Sequence, residues 1–146
     1  QNYTLTDDQK KQLQEWIDKQ ITEHVPLQYL LGSVPFNELD ILVEPPTLIP
    51  RPETEEWTLD LISQLKKAKI TKLRILDLCT GSGCVALALA KTLPQSTIVG
   101  TDIADTALAL AQKNKKHNAI SNVEFKKSKR GYEKENYQRK FGSVLY

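Results

Sequence analysis

The N-terminal part of the chain has the period of an amphipathic helix. Its apolar positions are Leu13, Trp16, Ile17 and Ile21. The preceding Thr6-Asp7-Asp8-Gln9 has the form of a helix capping box, so the pattern predicts a helix over about residues 6–24. Because a single helix cannot bury its own apolar stripe, we expect residues 1–31 to be the remnant of an N-terminal helical domain.

Apolar and polar residues then alternate with a period of two between Gly32 and Val43, on both sides of Asn37-Glu38. Two short alternating runs around a polar pair predict a β-hairpin. We assign residues 32–48, which contain this hairpin, as a linker between the helical region and the rest of the chain.

A second helix is predicted after the linker. It starts near Pro52, where proline and three glutamates suit a helix N-terminus, and lysines suit its C-terminal end. The face that is expected to turn inward carries Trp57, Leu61, Ile62 and Leu65.

From residue 73 onward, short apolar runs alternate with helical segments. The runs have the length of buried strands and lie at residues 73–78, 97–101 and 122–126. The helical segments lie at residues 85–93 and 105–117, and Ala104, Leu108 and Ala111 are expected to face inward. Strands that alternate with helices of this length predict a parallel sheet covered by helices.

The expected fold class is therefore α/β, with an incomplete Rossmann-like sheet that is preceded by a helix and a β-hairpin linker. Residues 49–146 are expected to form the N-terminal part of this sheet domain, and a fourth strand is expected to begin at residues 141–146. The chain starts at Gln1 and contains no methionine, so we expect sequence to be missing at both ends.

Composition excludes several classes of protein. With 146 residues, of which 40% are hydrophobic and 26% charged, the chain is typical of one globular domain, and it shows neither an apolar run of membrane-spanning length nor a signal-peptide pattern. Its two cysteines, Cys79 and Cys84, are too few for a disulfide framework and are not spaced as a zinc site, so reduced thiols and no metal are expected. His24 and His117 have no nucleophile or carboxylate pattern around them and are expected to be ordinary histidines.

The net charge of +2 conceals a basic run, since residues 126–140 contain seven basic and two acidic residues. A run of this kind can contact RNA. A solvated, lysine-rich surface explains it better, because no aromatic platform or RNA-binding signature accompanies it. We therefore expect no direct binding of nucleic acid.

The strongest chemical signal is the glycine-rich segment from Leu76 to Cys84, where the first strand of the sheet meets its first helix. Ligands bind at this edge of an open α/β sheet, and the helix N-terminus offers unpaired N–H groups. Asp102 follows Gly83 by nineteen residues and ends the second strand, where a carboxylate can accept both hydroxyls of a ribose. The two features together predict an adenosine-containing ligand.

The glycine spacing alone does not identify this ligand. Gly81-x-Gly83-x-x-Ala86 also fits a dinucleotide fingerprint, so an NAD-dependent oxidoreductase is an alternative. Asp77 argues against it, because a carboxylate near the turn repels a pyrophosphate and attracts the sulfonium and ammonium groups of S-adenosylmethionine. A non-catalytic ligand-binding fragment is the third alternative.

The sequence resembles the HemK/PrmC family of protein-glutamine methyltransferases, which modify the Gly-Gly-Gln glutamine of class 1 peptide release factors. The resemblance covers roughly residues 26–125 and rests on Pro26 to Gly32, Leu48 to Glu56, Leu76 to Cys84 and Thr101 to Ile103. The stretch Ile-Pro-Arg-Pro-Glu-Thr-Glu is its most specific part, since methyltransferases in general do not share it. Trp57 is most similar to fungal mitochondrial members, so a mitochondrial location is expected, with a bacterial cytoplasm as the alternative.

This resemblance implies an S-adenosylmethionine-dependent methyltransferase whose partner is a release factor. It also implies that Asp102 holds the ribose of the cofactor and that five loop residues line it: Cys79, Thr80, Gly81, Ser82 and Gly83. Arg51 and Glu53 are expected near the active site, with Asp77 as further support. An alternative for Arg51 and Glu53 is that they only fix a linker by salt bridging.

Two departures from the family pattern matter. Where the family has an acidic residue and a large side chain that contact the adenine side of the cofactor, this chain reads Lys127-Ser128-Lys129-Arg130. The family's Asn-Pro-Pro-Tyr motif, which orients the glutamine amide, should follow the fourth strand, but the chain ends at Val144-Leu145-Tyr146. We therefore predict no catalytic residue in this chain and no activity of the chain alone.

Overall fold

The computed structural model describes residues 4–128. Its helices are α1 (Asp7–Thr22), α2 (Leu27–Leu31), α3 (Pro52–Lys67), α4 (Cys84–Thr92) and α5 (Asp105–His117). Its strands are β1 (Ser33–Phe36), β2 (Leu39–Leu42), β3 (Arg74–Leu78), β4 (Thr97–Asp102) and β5 (Val123–Lys127). The strand predicted at residues 141–146 and most of the basic run lie outside the described residues.

Strands β3, β4 and β5 form a parallel sheet in that order. Helix α4 connects the first pair and α5 the second, as parallel strands require a long crossover. The register sets Leu78 opposite Thr101 and Asp102 opposite Lys127, so the three strands end at one edge. The predicted α/β, Rossmann-like arrangement is confirmed.

Helix α4 lies in the core because nearly all of its residues are apolar. Leu87 and Leu89 of this helix are fully buried, and they belong to one cluster with Ile75 and Ile98 of the sheet and Phe36 of the hairpin. Burying each such leucine contributes about 1.5–3 kcal/mol. This packing fixes the position of the loop that precedes α4.

Helix α5 packs on the sheet through a stripe with a spacing of three and four residues, formed by Ala107, Leu110, Ala111 and Asn114. The inward orientation predicted for Ala111 is confirmed, and Leu108 is half-buried against the core. The prediction for Ala104 is wrong, since this residue is exposed. Ala104 is the N-cap of α5 in an extended conformation, so the helix and its buried stripe begin after it.

Strands β1 and β2 form the predicted antiparallel hairpin, in which Phe36 pairs with Leu39 next to the turn. Asn37 and Glu38 both have positive φ values, 45° and 61°, as a tight hairpin turn requires. The Asn37 N–H donates a hydrogen bond of 2.7 Å to the Glu55 carboxylate of α3. The tip of the hairpin is thereby held against that helix.

Helix α1 begins as predicted, but its apolar stripe is not buried. The Gln9 N–H donates to the Thr6 hydroxyl and the Thr6 N–H donates to the Gln9 side chain, which completes the capping box. No residue of α1 is buried, and Ile21 is 68% exposed. The helical partner expected for this stripe stays a prediction. Among residues 4–128, no helix has the length and apolar content needed to cross a membrane.

Candidate functional site

The loop between β3 and α4 turns sharply through residues in the left-handed region. Cys79, Gly81 and Gly83 have φ values of 56°, 56° and 81°. The Thr80 N–H donates to the Thr101 carbonyl at 2.9 Å, and the Gly83 N–H donates to the Thr80 carbonyl at 2.8 Å. Cys79 holds its conformation without being glycine, at a cost of roughly 1–2 kcal/mol. Backbone strain of this kind concentrates at functional sites.

Gly83 caps α4 and lies directly on the sheet. A Cβ atom at this position would lie 2.8 Å from the ring of Phe125 and 3.1 Å from the methyl group of Ala111. Since the backbone there also has a φ of +81°, glycine is the residue that fits. This close contact brings the N-terminus of α4, whose first N–H groups have no acceptor within the helix, next to the strand ends.

Asp102 ends β4 beside this loop. Its Oδ2 accepts a hydrogen bond of 3.0 Å from the Gly81 N–H, and its Oδ1 accepts one of 3.0 Å from the Ala104 N–H. Each carboxylate oxygen has a second lone pair. The group is therefore held in place by the backbone and can still accept a further hydrogen bond on each oxygen, which is the capacity that two neighbouring hydroxyls require.

Asp77, near the end of β3, is enclosed by the loop that follows it. Its Oδ2 accepts the Thr80 hydroxyl at 2.6 Å. Burial raises the pKa of Asp77 from 3.8 to about 6, because the loss of water disfavours the charged form. The Thr80 hydroxyl and the Ala86 N–H oppose this rise, and the negative charge of Asp102 adds to it. A carboxylate in this setting attracts a cationic ligand group.

A cavity of about 290 Å³ opens between the loop and the segment that leads into α3. The predicted site residues that line it are Arg51, Asp77, Cys79, Thr80, Gly81 and Ser82. Asp102 adjoins this wall through its bond to Gly81, and Gly83 adjoins it as the N-cap of α4. Glu53 lies apart from them, exposed in the first turn of α3. The structure therefore brings together all the predicted residues except Glu53.

The opposite wall of the cavity contains residues that were not predicted from the sequence. They are Leu48, Ile49, Pro50, Thr54 and Trp57. The expectation that Trp57 faces the core is wrong, because it is 40% exposed, whereas Thr58 and Ile62 are buried. Neighbouring positions on a helix differ by about 100°. The four-residue spacing of Thr58 and Ile62 is the signal that would have placed Trp57 to one side of the core.

Asn114 of α5 is a further residue missing from the predictions, and it is fully buried. Its Nδ2 donates to the Ser82 carbonyl at 3.0 Å and to the Leu42 carbonyl at 3.1 Å, while its Oδ1 accepts the Leu42 N–H at 2.7 Å. Four residues later, Asn118 bonds both backbone groups of Asp40 in the same way. Asn114 continues the helical spacing of the buried residues of α5, and this spacing is the signal that could have identified it from the sequence.

Residues 127–130, which follow or end β5, depart from the family pattern, and the structure describes only the first two of them. Lys127 is exposed, and its Nζ forms an ion pair of 2.6 Å with Asp105. The Ser128 N–H donates to the Asp102 carbonyl at 2.9 Å. Lys129 and Arg130 lie outside the described residues.

Cys79 and Cys84 are free thiols, as predicted. Cys79 is exposed in the loop, whereas burial raises the pKa of Cys84 to about 11. His24 is exposed, and His117 is exposed and contacts Asp40 at 2.7 Å. In the part of the chain that the structure describes, no group of three or more His, Cys, Asp or Glu side chains is placed to hold a metal ion.

Comparison with known proteins shows the family of the chain. The family described as Methyltransferase domain matches residues 70–145, just over half of the chain. The chain is 47% identical over 106 residues to a release factor glutamine methyltransferase of Flavobacterium psychrophilum, covering 70% of this chain and 37% of that relative. It is 40% identical over 119 residues to a release factor glutamine methyltransferase of Escherichia coli, covering 82% of this chain and 42% of that relative.

A third relative is a mitochondrial protein. The chain is 41% identical over 110 residues to the mitochondrial MRF1 N(5)-glutamine methyltransferase MTQ1 of Saccharomyces cerevisiae, covering 73% of this chain and 35% of that relative. The chain thus spans about two fifths of the length of the curated relatives it matches.

Two solved structures share the fold. The N-terminal domain of human METTL16 matches with a TM-score of 0.52 and 27% identity, covering 73% of this chain and 42% of that chain. Trm5b from Pyrococcus abyssi matches with a TM-score of 0.53 and 16% identity, covering 64% of this chain and 27% of that chain, which is a likeness of fold alone. The matching family and the named curated relatives are methyltransferases, so the oxidoreductase alternative is not favoured.

Proposed function

The chain belongs to the methyltransferase domain family, and we propose that the protein transfers a methyl group from S-adenosylmethionine to the side-chain amide of the Gly-Gly-Gln glutamine in peptide chain release factors. The resemblance to the HemK/PrmC family is confirmed, since relatives at 40–47% identity carry the name release factor glutamine methyltransferase. Their names support the reaction and the protein substrate. The observation that best supports S-adenosylmethionine as the cofactor is the hydrogen bond from the Gly81 N–H of the glycine-rich loop to the Asp102 carboxylate.

The sugar end of the cofactor is proposed to bind at Asp102. The N–H groups of Gly81 and Ala104 hold this carboxylate and leave one lone pair on each oxygen. Two ribose hydroxyls are donors that match those acceptors. Ile103, which is 52% exposed, adds apolar surface beside them for the adenine. Lys127 departs from the family pattern here, and its ammonium group forms an ion pair with Asp105.

The amino-acid end of the cofactor is proposed to lie in the cavity. The carboxylate of Asp77 suits the positively charged sulfonium and ammonium groups, because opposite charges attract strongly where water is scarce. Arg51, on the opposite wall, suits the carboxylate of the cofactor. Cys79, Thr80 and Ser82 supply the loop surface between these charged groups.

For Glu53 we propose a structural role at the N-terminus of α3, in place of the salt bridge considered from the sequence. It lies in the first turn of α3, exposed and outside the lining of the cavity. A carboxylate in that turn stabilises the N-terminus of the helix through the helix dipole. We propose that Glu53 supports the segment that carries Arg51 and makes no contact with the cofactor.

The cofactor supplies a methyl group bound to a sulfonium sulfur. An amide nitrogen is a weak nucleophile because its lone pair is delocalised, so catalysis must come from orientation of the two reactants. The residues of this chain contribute by binding one reactant, while Leu48, Ile49 and Trp57 give the cavity an apolar wall. By resemblance, orientation of the amide belongs to the family's Asn-Pro-Pro-Tyr motif, and we assign no catalytic residue among residues 4–128.

A mitochondrial location is proposed for the protein. The yeast relative is named as mitochondrial, and Trp57 is most similar to fungal mitochondrial members of the family. The bacterial relatives keep a bacterial cytoplasm as the alternative. Fractionation of cells that produce the protein distinguishes the two, because recovery outside the mitochondrial fraction would contradict this proposal.

The cofactor assignment is tested by calorimetric titration of the chain with S-adenosylhomocysteine and with NAD. We expect binding of S-adenosylhomocysteine only. Asp102→Asn should weaken that binding by about 10–100-fold, since hydrogen bonds to a charged group contribute about 1.5–3 kcal/mol. Asp60→Asn, an exposed change on α3, is the matched control and should leave the affinity unchanged. Binding of NAD in preference would support the oxidoreductase alternative.

The substrate is tested with the protein, labelled S-adenosylmethionine and a release factor. Label on the glutamine of the Gly-Gly-Gln motif is expected when the complete catalytic domain is present, and its loss on replacing that glutamine by alanine is the control. Transfer of label to the altered release factor at the same rate would show that another residue is the acceptor.

A further inference from the structure

The two walls of the cavity come from separate parts of the chain. One wall is the loop that contains Ser82, and the other is the segment from Leu48 to Trp57, which follows β2 along the chain. Asn114 bonds directly to the first wall at the Ser82 carbonyl. It also bonds both backbone groups of Leu42 in β2, the strand that leads into the second wall. Only five residues lie between Leu42 and the start of the second wall at Leu48.

We propose that Asn114 is a positioning residue that sets the distance between the two walls and so couples docking of the hairpin to binding of the cofactor. The inference rests on the proposed function and extends it to a residue outside the cavity lining. Asn114 would act through the Ser82 loop and β2, without contact with the cofactor.

The bonding capacity of the side chain supports this role. The amide of Asn114 uses both of its donor hydrogens and accepts one N–H, with distances of 2.7–3.1 Å. Because Asn114 is 0% exposed, bulk water cannot replace a partner that moves away. A buried polar group without its partner is unfavourable. A change in the spacing of the loop and the hairpin would break these bonds, so the bonds hold that spacing fixed.

Helix α5 also contacts the loop at a second point. The methyl group of Ala111 lies close to Gly83, at 3.1 Å from where a Cβ atom would stand. Ala111 and Asn114 are three residues apart on α5 and therefore share one face of the helix. Because α5 contacts the loop at two points, it fixes the orientation of the loop as well as its position.

A coupling of this kind is reciprocal. If docking of the hairpin improves binding of the cofactor, then the bound cofactor must stabilise the docked hairpin by the same factor. The Leu42 N–H, which Asn114 accepts at 2.7 Å, reports the docked state. Its hydrogen exchange should slow when the cofactor binds, although Leu42 does not line the cavity.

The test compares Asn114→Asp with Asn118→Ala in the full chain. Asn114→Asp keeps an acceptor for the Leu42 N–H but loses the donors to Leu42 and Ser82. Asn118→Ala is the matched control, because it removes an amide that bonds the same strand at Asp40. Asn114→Ser, which is too short to reach both carbonyls, is a second variant in case the aspartate variant does not fold.

Hydrogen exchange of single amides, followed by NMR without ligand, gives the first readout. Asn114→Asp and Asn114→Ser should speed exchange at Leu42 and also at Gly81 and Gly83 in the loop. Asn118→Ala should speed exchange in β2 only. A loop that exchanges at the wild-type rate in both Asn114 variants overturns the coupling.

Titration with S-adenosylhomocysteine gives the second readout. We expect at least tenfold weaker binding for the Asn114 variants and less than threefold for Asn118→Ala, with ligand-induced slowing at Leu42 retained only in the control and the wild type. Equal loss in Asn114→Asp and Asn118→Ala would show that general destabilisation is responsible and would refute the inference. Failure of the wild type to bind would refute the proposed function, while the ligand-free exchange would still decide the role of Asn114.

Discussion

The loop at the sheet edge and helix α1 are held in opposite ways. The loop has local hydrogen bonds, but residues distant in sequence anchor it to the rest of the chain, since Gly81 bonds to Asp102 and Ser82 to Asn114. Helix α1 is stabilised by neighbours in sequence, namely its capping box and the ion pair of Lys10 with Asp7 at 2.9 Å. Local bonds suffice to define a helix, whereas the candidate site depends on contacts between remote segments.

The largest expected contrast between the two regions is in the burial of leucine. Leu87→Ala in α4 removes a side chain that is 0% exposed, so the free energy of unfolding should fall by about 2–5 kcal/mol. Leu13→Ala in α1, where the side chain is 44% exposed, should change it by about 0.5 kcal/mol or less. Urea unfolding of both variants measures the difference. A large effect at Leu13 would show that α1 packs against part of the chain outside residues 4–128.

Two glycines with similar backbone conformations should differ in how much stability the chain loses when each is replaced by alanine. Gly83→Ala combines a φ of +81° with a contact of 2.8 Å to Phe125, so we expect a loss of about 3 kcal/mol in the free energy of unfolding. Gly32→Ala has a φ of +84° but open space around it, and should cost only about 1–2 kcal/mol. Equal losses in urea unfolding would mean that Phe125 yields and that the loop is less rigid than its contacts indicate.

Asp77, in β3 beside the loop, should lower the stability of the folded chain at neutral pH. Asp77 has a pKa of 3.8 when unfolded and about 6 when folded, so the folded chain binds more protons between these values. The free energy of unfolding therefore falls as the pH rises from about 4 to 6 and stays low above that range. Asp77→Asn should remove this loss.

We expect Asp77→Asn to be about 1–2 kcal/mol more stable than the wild type at pH 7 and about 1–2 kcal/mol less stable below pH 4. The pKa difference corresponds to roughly 3 kcal/mol between these two limits, and the weaker bond of the amide to Thr80 lowers the stability of the variant at every pH. It should also bind S-adenosylhomocysteine about tenfold more weakly. Unfolding curves and titrations across this pH range test both effects. A gain in stability that does not depend on pH would exclude the titration of Asp77 as its cause.

The smallest effect is expected at the cap of α1. Thr6→Ala removes the acceptor for the Gln9 N–H and should cost the helix about 1 kcal/mol of local stability. Because α1 buries no residue, the unfolding midpoint of the rest of the chain should remain unchanged. Faster amide exchange confined to α1, together with an unchanged urea midpoint, is the expected result. A lower midpoint would show that the helix is coupled to the core.

Predictions from the sequence succeed where the determining pattern is local. The alternation of apolar runs and helical segments is enough to predict the parallel sheet, and the glycines around Gly81 are enough to locate the loop. The hairpin turn at Asn37-Glu38 is also predicted, because two alternating runs flank this polar pair. Its positive φ values suit Asn37 but are uncommon for a residue such as Glu38. These features depend on periods and turn residues within a few positions of each other.

Predictions from the sequence are incomplete where remote segments meet. The cavity wall around Trp57 depends on how α3 rotates against the core, and the role of Asn114 depends on contacts with Leu42 and Ser82, which lie 72 and 32 residues away. Ala104 shows the same difficulty at short range. It lies one residue before the predicted and observed start of α5, where the extended backbone leaves it exposed and outside the buried stripe. No one-dimensional period contains this information.

The two asparagines of α5 have a consequence for association between molecules. Four residues of helix rise about 6 Å, and two residues of strand advance about 6.8 Å, so Asn114 and Asn118 match the spacing of Leu42 and Asp40. The side-chain amides thus take the place of a neighbouring strand along β2. An open strand edge is a template for aggregation. Helix α5 covers this edge of β2, so it is not available for pairing with a second chain.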